Sequence, residues 1–323
     1  MTRRPEFREG LTQIANGVYA YLQPDGGLGL SNAGLVAPRS PAGGDGRGAL
    51  LVDTFFDLPH TQRLLDAVAR EVRTPIGRVL NTHYNGDHCW GNQLVRGAEI
   101  IGHRSVPADM AKVPPAALQA LRDAPDTVPA ARALRAGLAR FDFSGIELTP
   151  PTTLLDERLT LDVGGTAVEL MHVGPAHTTG DVIAYLPDDG IVFTGDVLFR
   201  LCAPIGWEGT FANWIAALER IAALDADTIV PGHGPVCGEE GPLEMRDYLA
   251  YVRAESRAHF DAGRSIAEAA AQIDLGPYAG WLESERIVFQ IDRAYREFRG
   301  EPFDAPVDFV RLAGAMAELS QRH

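Results

Sequence analysis

Lysine is nearly absent from this sequence. Lys112 is the only one; the other basic residues are arginines, and 29 basic residues face 43 aspartates and glutamates, a formal net charge of −14. So acidic a chain excludes a broad nucleic-acid partner, because phosphate binding needs a basic patch. Cysteine is scarce as well. Cys89, Cys202 and Cys237 are an odd set at unrelated spacings, which excludes a disulfide framework and suggests a reducing compartment. No run approaches the ~18 apolar residues of a membrane span. Residues 1–9 carry charges with no apolar stretch behind them, unlike a secretory signal. The expectation from these absences is a soluble, cytoplasmic protein without membrane or nucleic-acid partners. What is present is bulk: 323 residues, 46 % of them hydrophobic, enough for a full core in one large domain or a domain with an appendage.

Loose alternation over residues 14–22 predicts a strand, and 32–37 and 49–52 predict two more. The Pro- and Gly-rich stretch 38–48 between the last two reads as a long hairpin tip. Leu64, Leu65, Val68 and Val72 recur at helical spacing within 58–72, with His60 or Thr61 as the expected cap. Further strands are expected at 79–80, 99–102, 154–155, 159–161, 167–171, 182–186, 191–193 and 228–230, the fourth joined to the third by Asp156-Glu157-Arg158. Residues 211–224 are amphipathic. Residues 104–140, rich in Ala, Pro and Arg, read as short helices forming an insertion or lid. From Pro242 onward only helices are expected, so the chain divides into residues 1–241 and a helical extension, 242–323. Ile287, Ile291, Ala294 and Phe298 form a stripe that fits packing on the chain itself or on a second copy, with a homodimer slightly favoured.

One stretch organises the rest: Asn81-Thr82-His83-Tyr84-Asn85-Gly86-Asp87-His88-Cys89-Trp90-Gly91-Asn92. It follows the apolar Val79 and Leu80 and is punctuated by glycine, so it reads as a loop at a strand end, where a rigid scaffold presents functional groups. Two imidazoles, a carboxylate and a carboxamide lie within six positions, and imidazole and carboxylate are the ligands zinc prefers. Three more expected strand ends carry groups of the same kind: His177, Asp196 and His233, each beside Gly or Pro.

In this order the motifs resemble those of the metallo-β-lactamase-fold metallohydrolases. They are Val52-Asp53-Thr54, the His-x-x-x-Asp-His loop at 83–88, Gly174-Pro175-Ala176-His177-Thr178-Thr179-Gly180-Asp181, Phe193-Thr194-Gly195-Asp196 and Pro231-Gly232-His233-Gly234. The resemblance covers about residues 10–249. It implies an α/β fold, a four-layer αββα sandwich of two mixed β-sheets with its metal site at one edge. It further implies that His83, position 85 and His177 hold one metal, that Asp87, His88 and His233 hold a second, and that Asp196 bridges them. The family usually has His at position 85; this chain has Asn85, a weak zinc ligand. One firmly held zinc and a weaker second are therefore expected, with iron or manganese as other candidates.

The expected activity is that of a metal-dependent hydrolase directing metal-bound hydroxide at a small acyl substrate: a thioester, lactone, lactam or ester. Asp87 would ligate or orient the nucleophile, and Asn85 would donate to the oxyanion. Two other functions fit the same motifs, a non-haem iron oxygenase and a non-catalytic dimeric scaffold. Asp53 is expected to hold a ligating imidazole from behind. Tyr84, Trp90, Trp207 and Phe211 suggest an apolar wall. Cys202, His103 and His172 are weaker pocket candidates whose simpler roles are structural, and Cys89 is expected to point into the core.

Overall fold

A computed structural model describes residues 8–24, 27–40 and 46–320. Part of the expected hairpin tip, residues 41–45, lies outside them, as do residues 1–7. The first seven strands are β1 (Gly10–Ala15), β2 (Val18–Leu22), β3 (Ala33–Val36), β4 (Ala49–Val52), β5 (Ile76–Leu80), β6 (Glu99–His103) and β7 (Thr153–Leu155). They form one sheet in sequential order. Its first four strands pair antiparallel and β4 to β7 pair parallel. The second sheet has the order β12-β11-β10-β9-β8, built from β8 (Arg158–Asp162), β9 (Ala167–His172), β10 (Val182–Leu186), β11 (Ile191–Phe193) and β12 (Thr228–Val230). Its one parallel pair is β11 with β12.

The sheets face one another through a fully buried apolar layer that includes Leu50, Val52, Leu80 and Ile101 from the first and Leu170, Val182, Ala184 and Phe193 from the second. The intervening side chains Ala49, Leu51 and Val79 point outward and pack under Leu64 and Val68 of α1 (Leu58–Glu71). Burial on both faces explains why β4 and β5 read as apolar runs rather than alternating strands. On the far side, Met171, Ile183 and Val192 are covered by α6 (Phe211–Ala222) and the C-terminal helices. The result is the expected α/β sandwich of two mixed sheets with helices outside.

Two local expectations are corrected, and one connection is assigned. The strand expected at 14–22 is two strands, because Asn16-Gly17 makes a tight turn with Gly17 at φ 73°. The cap of α1 is Asp57, which accepts from the His60 N–H at 2.7 Å; Thr61 is buried and accepts from the Phe55 N–H instead. The strands expected on either side of Asp156 are β7 and β8. β7 and β8 belong to different sheets, so the chain crosses the sandwich there.

Residues 104–140 hold α3 (Val106–Asp109), α4 (Pro115–Asp123) and α5 (Pro129–Leu138); a one-turn helix, α2 (Gly86–Cys89), precedes them in the organising loop. After β12 come α7 (Glu240–Asp261), α8 (Ile266–Ala270), α9 (Ile287–Phe298) and α10 (Phe309–Ser320). Helix α9 packs against α7 and α8, and Ile287, Ile291 and Ala294 are buried within this chain. The stripe behind the expected dimer is thus already covered. Among the described residues, no helix is long and apolar enough to cross a membrane.

Candidate metal centre

Four strand ends converge at one edge of the sandwich. His83 follows β5, His177 follows β9, Asp196 follows β11 and His233 follows β12; Asp87 and His88 sit on α2. Asp196 is the hub. Its carboxylate oxygens lie 3.0 Å from His88 Nε2, 3.4 Å from His177 Nε2, 3.5 Å from His233 Nε2 and 3.8 Å from His83 Nε2. Asp87 Oδ2 is 3.3 Å from His233 Nε2 and 3.9 Å from His88 Nε2. Two triads close enough to share an ion result, His83/His88/Asp196 and Asp87/His88/His233.

Glycine makes these approaches possible. A Cβ on Gly232 would stand 2.0 Å from Asp196 Oδ1, and one on Gly195, already at φ 50°, would meet Thr82. Asn32 pins the His233 turn by donating from Nδ2 to the carbonyls of Pro231 and Gly234. Asp181 holds the His177 turn, accepting from the N–H groups of Ala176 and Thr178 and from the Thr178 hydroxyl.

Behind the cluster, the ring nitrogens that face away are occupied on three of the four imidazoles, while His233 Nδ1 is buried without a hydrogen-bond partner. His88 Nδ1 meets Asp53 Oδ2 at 2.8 Å, His177 Nδ1 meets the Ile205 carbonyl at 2.6 Å, and His83 Nδ1 meets Thr82 Oγ1 at 3.0 Å. Asp53 accepts two further bonds, from Thr82 N–H and Thr82 O–H, and holds φ 63°. In front, His83 Nε2, His88 Nε2, His177 Nε2, Asp196 Oδ1 and Asn85 Oδ1 are buried without a hydrogen-bond partner. Buried polar atoms are ordinarily paired. Five orphaned electron-pair donors in one small site are what a cation ligand set requires, so the residues fit a divalent metal.

The electrostatics agree. Burial and the neighbouring imidazoles push His83 well below its usual range, and burial pushes His177 down to about 4. Burial also disfavours charge on His88 and His233, but the carboxylates overcome it. Asp196, Asp53 and Asp87 hold His88 well above its usual range, and Asp196 and Asp87 hold His233 up at about 9. Without metal, protons on these two rings offset the packed carboxylates.

All seven singled-out residues, His83, Asn85, Asp87, His88, His177, Asp196 and His233, meet here, and five of them line a cavity of about 460 Å³. Tyr84, Trp90 and Trp207 also line it, whereas Phe211 is core. Cys202 is buried core and His103 stacks on His172, with ring centroids 4.0 Å apart; none of these three is among the lining residues. Cys89 donates from its thiol to the Tyr84 carbonyl.

Several supporting residues escaped sequence reasoning. Asn81 and Asn92 bond each other, and Asn81 and the Thr54 N–H both donate to the His88 carbonyl. Glu208 accepts from Tyr84 O–H, Lys112 Nζ and the Thr179 N–H. Arg293 of α9 donates to the carbonyls of Ala176 and Glu208. Asn and Thr flanking a ligand loop were a usable signal; Glu208 and Arg293 act across long sequence separations and gave none.

A linear primary-alkylsulfatase from a Pseudomonas strain is 24 % identical over 294 residues, which is 80 % of this chain and 56 % of that protein. A hydroxyacylglutathione hydrolase from Brucella ovis is 27 % identical over 231 residues, 69 % of this chain and 73 % of the relative. Among solved structures, a stereoselective inverting sec-alkylsulfatase from Pseudomonas superposes with a TM-score of 0.66 at 17 % identity, covering 90 % of this chain and 50 % of that one. A metallo-beta-lactamase from Pontibacter korlensis gives 0.54 at 20 % identity, over 74 % of this chain and 98 % of its own. The chain spans about half the length of the alkylsulfatases it matches. The model of the metallo-beta-lactamase superfamily matches residues 26–233, and the chain belongs to that superfamily.

Proposed function

We propose that this protein is a metal-dependent hydrolase acting on an acyl ester or thioester. The observation that carries this is the gathering of the orphaned Nε2 atoms of His83, His88 and His177 around Asp196, beside a cavity lined by Asp87, His177, Asp196 and His233. Asp87, His88, His233 and Asp196 would hold one divalent metal firmly, zinc being the best match to imidazole and carboxylate donors. His83, His177 and Asp196 would hold a second weakly, since Asn85 offers only a neutral carbonyl oxygen. A metal held there supplies an acidified water and polarises the substrate oxygen.

The chain's own residues do the rest. Asp53, Thr82 and the Ile205 carbonyl hold the rings of His88, His83 and His177 from behind, which favours the tautomer whose Nε2 lone pair faces forward. Asp87, less enclosed than the rings, would accept a proton from water as the water oxygen bonds to the acyl carbon. The C–O or C–S bond would then break, and the proton taken up by Asp87 would pass to the leaving alcohol or thiol. Asn85, which lines the cavity, would orient the substrate carbonyl through its amide. The small, odd set of cysteines, Cys89, Cys202 and Cys237, supports the cytoplasmic location that the composition suggests.

The test is hydrolysis of p-nitrophenyl esters and of acyl thioesters by the zinc-loaded protein, compared with His88→Ala. Turnover lost in the variant is expected. Turnover by neither protein, or equal turnover by both, would refute the proposal. Iron bound as isolated, with oxygen uptake, would favour the oxygenase alternative.

A further inference from the structure

We infer that the cavity beside the metal-facing cluster is a tail pocket for an unbranched aliphatic acyl chain, and that the C-terminal segment 304–309 is one of its walls. The inference rests on the hydrolytic function proposed above and names the substrate class. At one end the cavity is lined by Asp87, His177, Asp196 and His233. Much of its remaining lining is apolar, including Leu118 of α4, Leu134 and Leu138 of α5, Trp90, Val307 and Phe309. Its volume of about 460 Å³ lies in the ordinary range for small-molecule sites, and apolar lining with a few convergent polar groups is their usual character.

The charges in the cavity select against a second anionic group on the tail. Lys112 Nζ is held by Glu208 at 2.7 Å and Asp109 at 3.0 Å. Arg286 pairs with Glu283 and donates to the Ala203 carbonyl. Both cations lining the cavity are therefore neutralised, and Asp304 adds a negative charge to the wall. An uncharged hydrocarbon chain loses nothing here, whereas a carboxylate or phosphate on it would find no free partner.

The wall is built into the scaffold. Phe309 sits 5.9 Å from Trp207 and 6.0 Å from Phe289, ring to ring. The Trp207 N–H donates to the His177 carbonyl at 2.9 Å, which ties the C-terminal segment to a metal-facing turn. Helix α10 packs along α5, so the two apolar walls move as one piece. Tail length is thus set by segments that carry none of the metal-facing residues.

The test uses the full-length zinc-loaded protein and the series butyrate, hexanoate, octanoate, decanoate, followed by the fluorescence of Trp90 and Trp207. Binding should tighten by about fourfold per added methylene until the cavity is filled. Val307→Phe, which narrows the cavity, should end that gain at a shorter chain. It should also lower the decanoate-to-butyrate ratio of kcat/KM on p-nitrophenyl esters by tenfold or more. A ratio taken within one variant is insensitive to the fraction that folds. Binding that does not vary with chain length, or a length dependence untouched by Val307→Phe, would overturn the tail pocket. Graded binding with no ester hydrolysed would overturn the hydrolytic function and leave the pocket standing. Preference for dodecyl sulfate over every ester would keep the tail and overturn the acyl assignment.

Discussion

Asp53 is the residue whose replacement best tests how the site is held. It is buried and accepts three bonds, from the Thr82 N–H, the Thr82 hydroxyl and His88 Nδ1. Asn is the informative substitute, because it tolerates the φ of 63° that Asp53 adopts. Its carbonyl can still serve Thr82, but its amide then faces His88 Nδ1 donor to donor. The ring must lose that bond or move its proton to Nε2, and either outcome weakens the metal-facing lone pair. Loss of such an outer partner costs about 10- to 100-fold in metal affinity, or ~1.4–2.7 kcal/mol. Zinc competition with a chromophoric chelator reads this directly. The stabilisation gained on adding zinc to the chelated protein should shrink by the same free energy, followed by urea unfolding. Wild-type zinc affinity in Asp53→Asn would refute the claim that Asp53 sets the His88 tautomer.

Other outcomes follow from the same geometry. Asn85→His restores a strong nitrogen donor beside His83 and His177, so firmly bound metal should rise from one to two per chain by elemental analysis; an unchanged content would show that position 85 does not face the second site. Gly232→Ala drives a methyl to within 2.0 Å of Asp196 Oδ1 and should abolish tight zinc binding while far-ultraviolet circular dichroism stays native. Arg293→Met strips the donors from two buried carbonyls flanking His177 and should destabilise the protein by about 2–4 kcal/mol in urea unfolding. Zinc must displace protons from His88, held well above its usual range, and from His233, held at about 9. Those raised pKa values stabilise the metal-free fold at lower pH, a contribution lost as pH climbs through about 9. Zinc affinity should therefore fall ~10-fold per released proton for each pH unit lost. Calorimetry in two buffers of different ionisation enthalpy counts the protons, and release of none would contradict the assignment.

The ligand-type residues were legible because each sits at a strand end beside Gly or Pro, and such turns are local in sequence. The sandwich was legible in part. Runs such as those of β4 and β5 mark strands buried on both faces, but period alone does not say which sheet a strand joins. Hence nothing within residues 153–162 tells that β7 and β8 lie in opposite sheets. The turn at Asn16-Gly17 was available in the sequence and was overlooked within a longer apolar alternation. The α9 stripe illustrates a true ambiguity. An amphipathic helix reports that one face is covered, and only the packing of α7 and α8 shows that this chain covers it itself. Glu208, Arg293 and Phe309 reach the site from distant parts of the chain, and pairing across such separations leaves no local pattern to find.

The central claim is that the chain holds one metal firmly through Asp87, His88, His233 and Asp196. Elemental analysis of the protein purified without added metal, and again after zinc loading and dialysis, tests it most directly. The account predicts about one metal per chain in the native protein and its loss in His88→Ala. No retained metal even after loading with zinc, or full retention by His88→Ala, would contradict it.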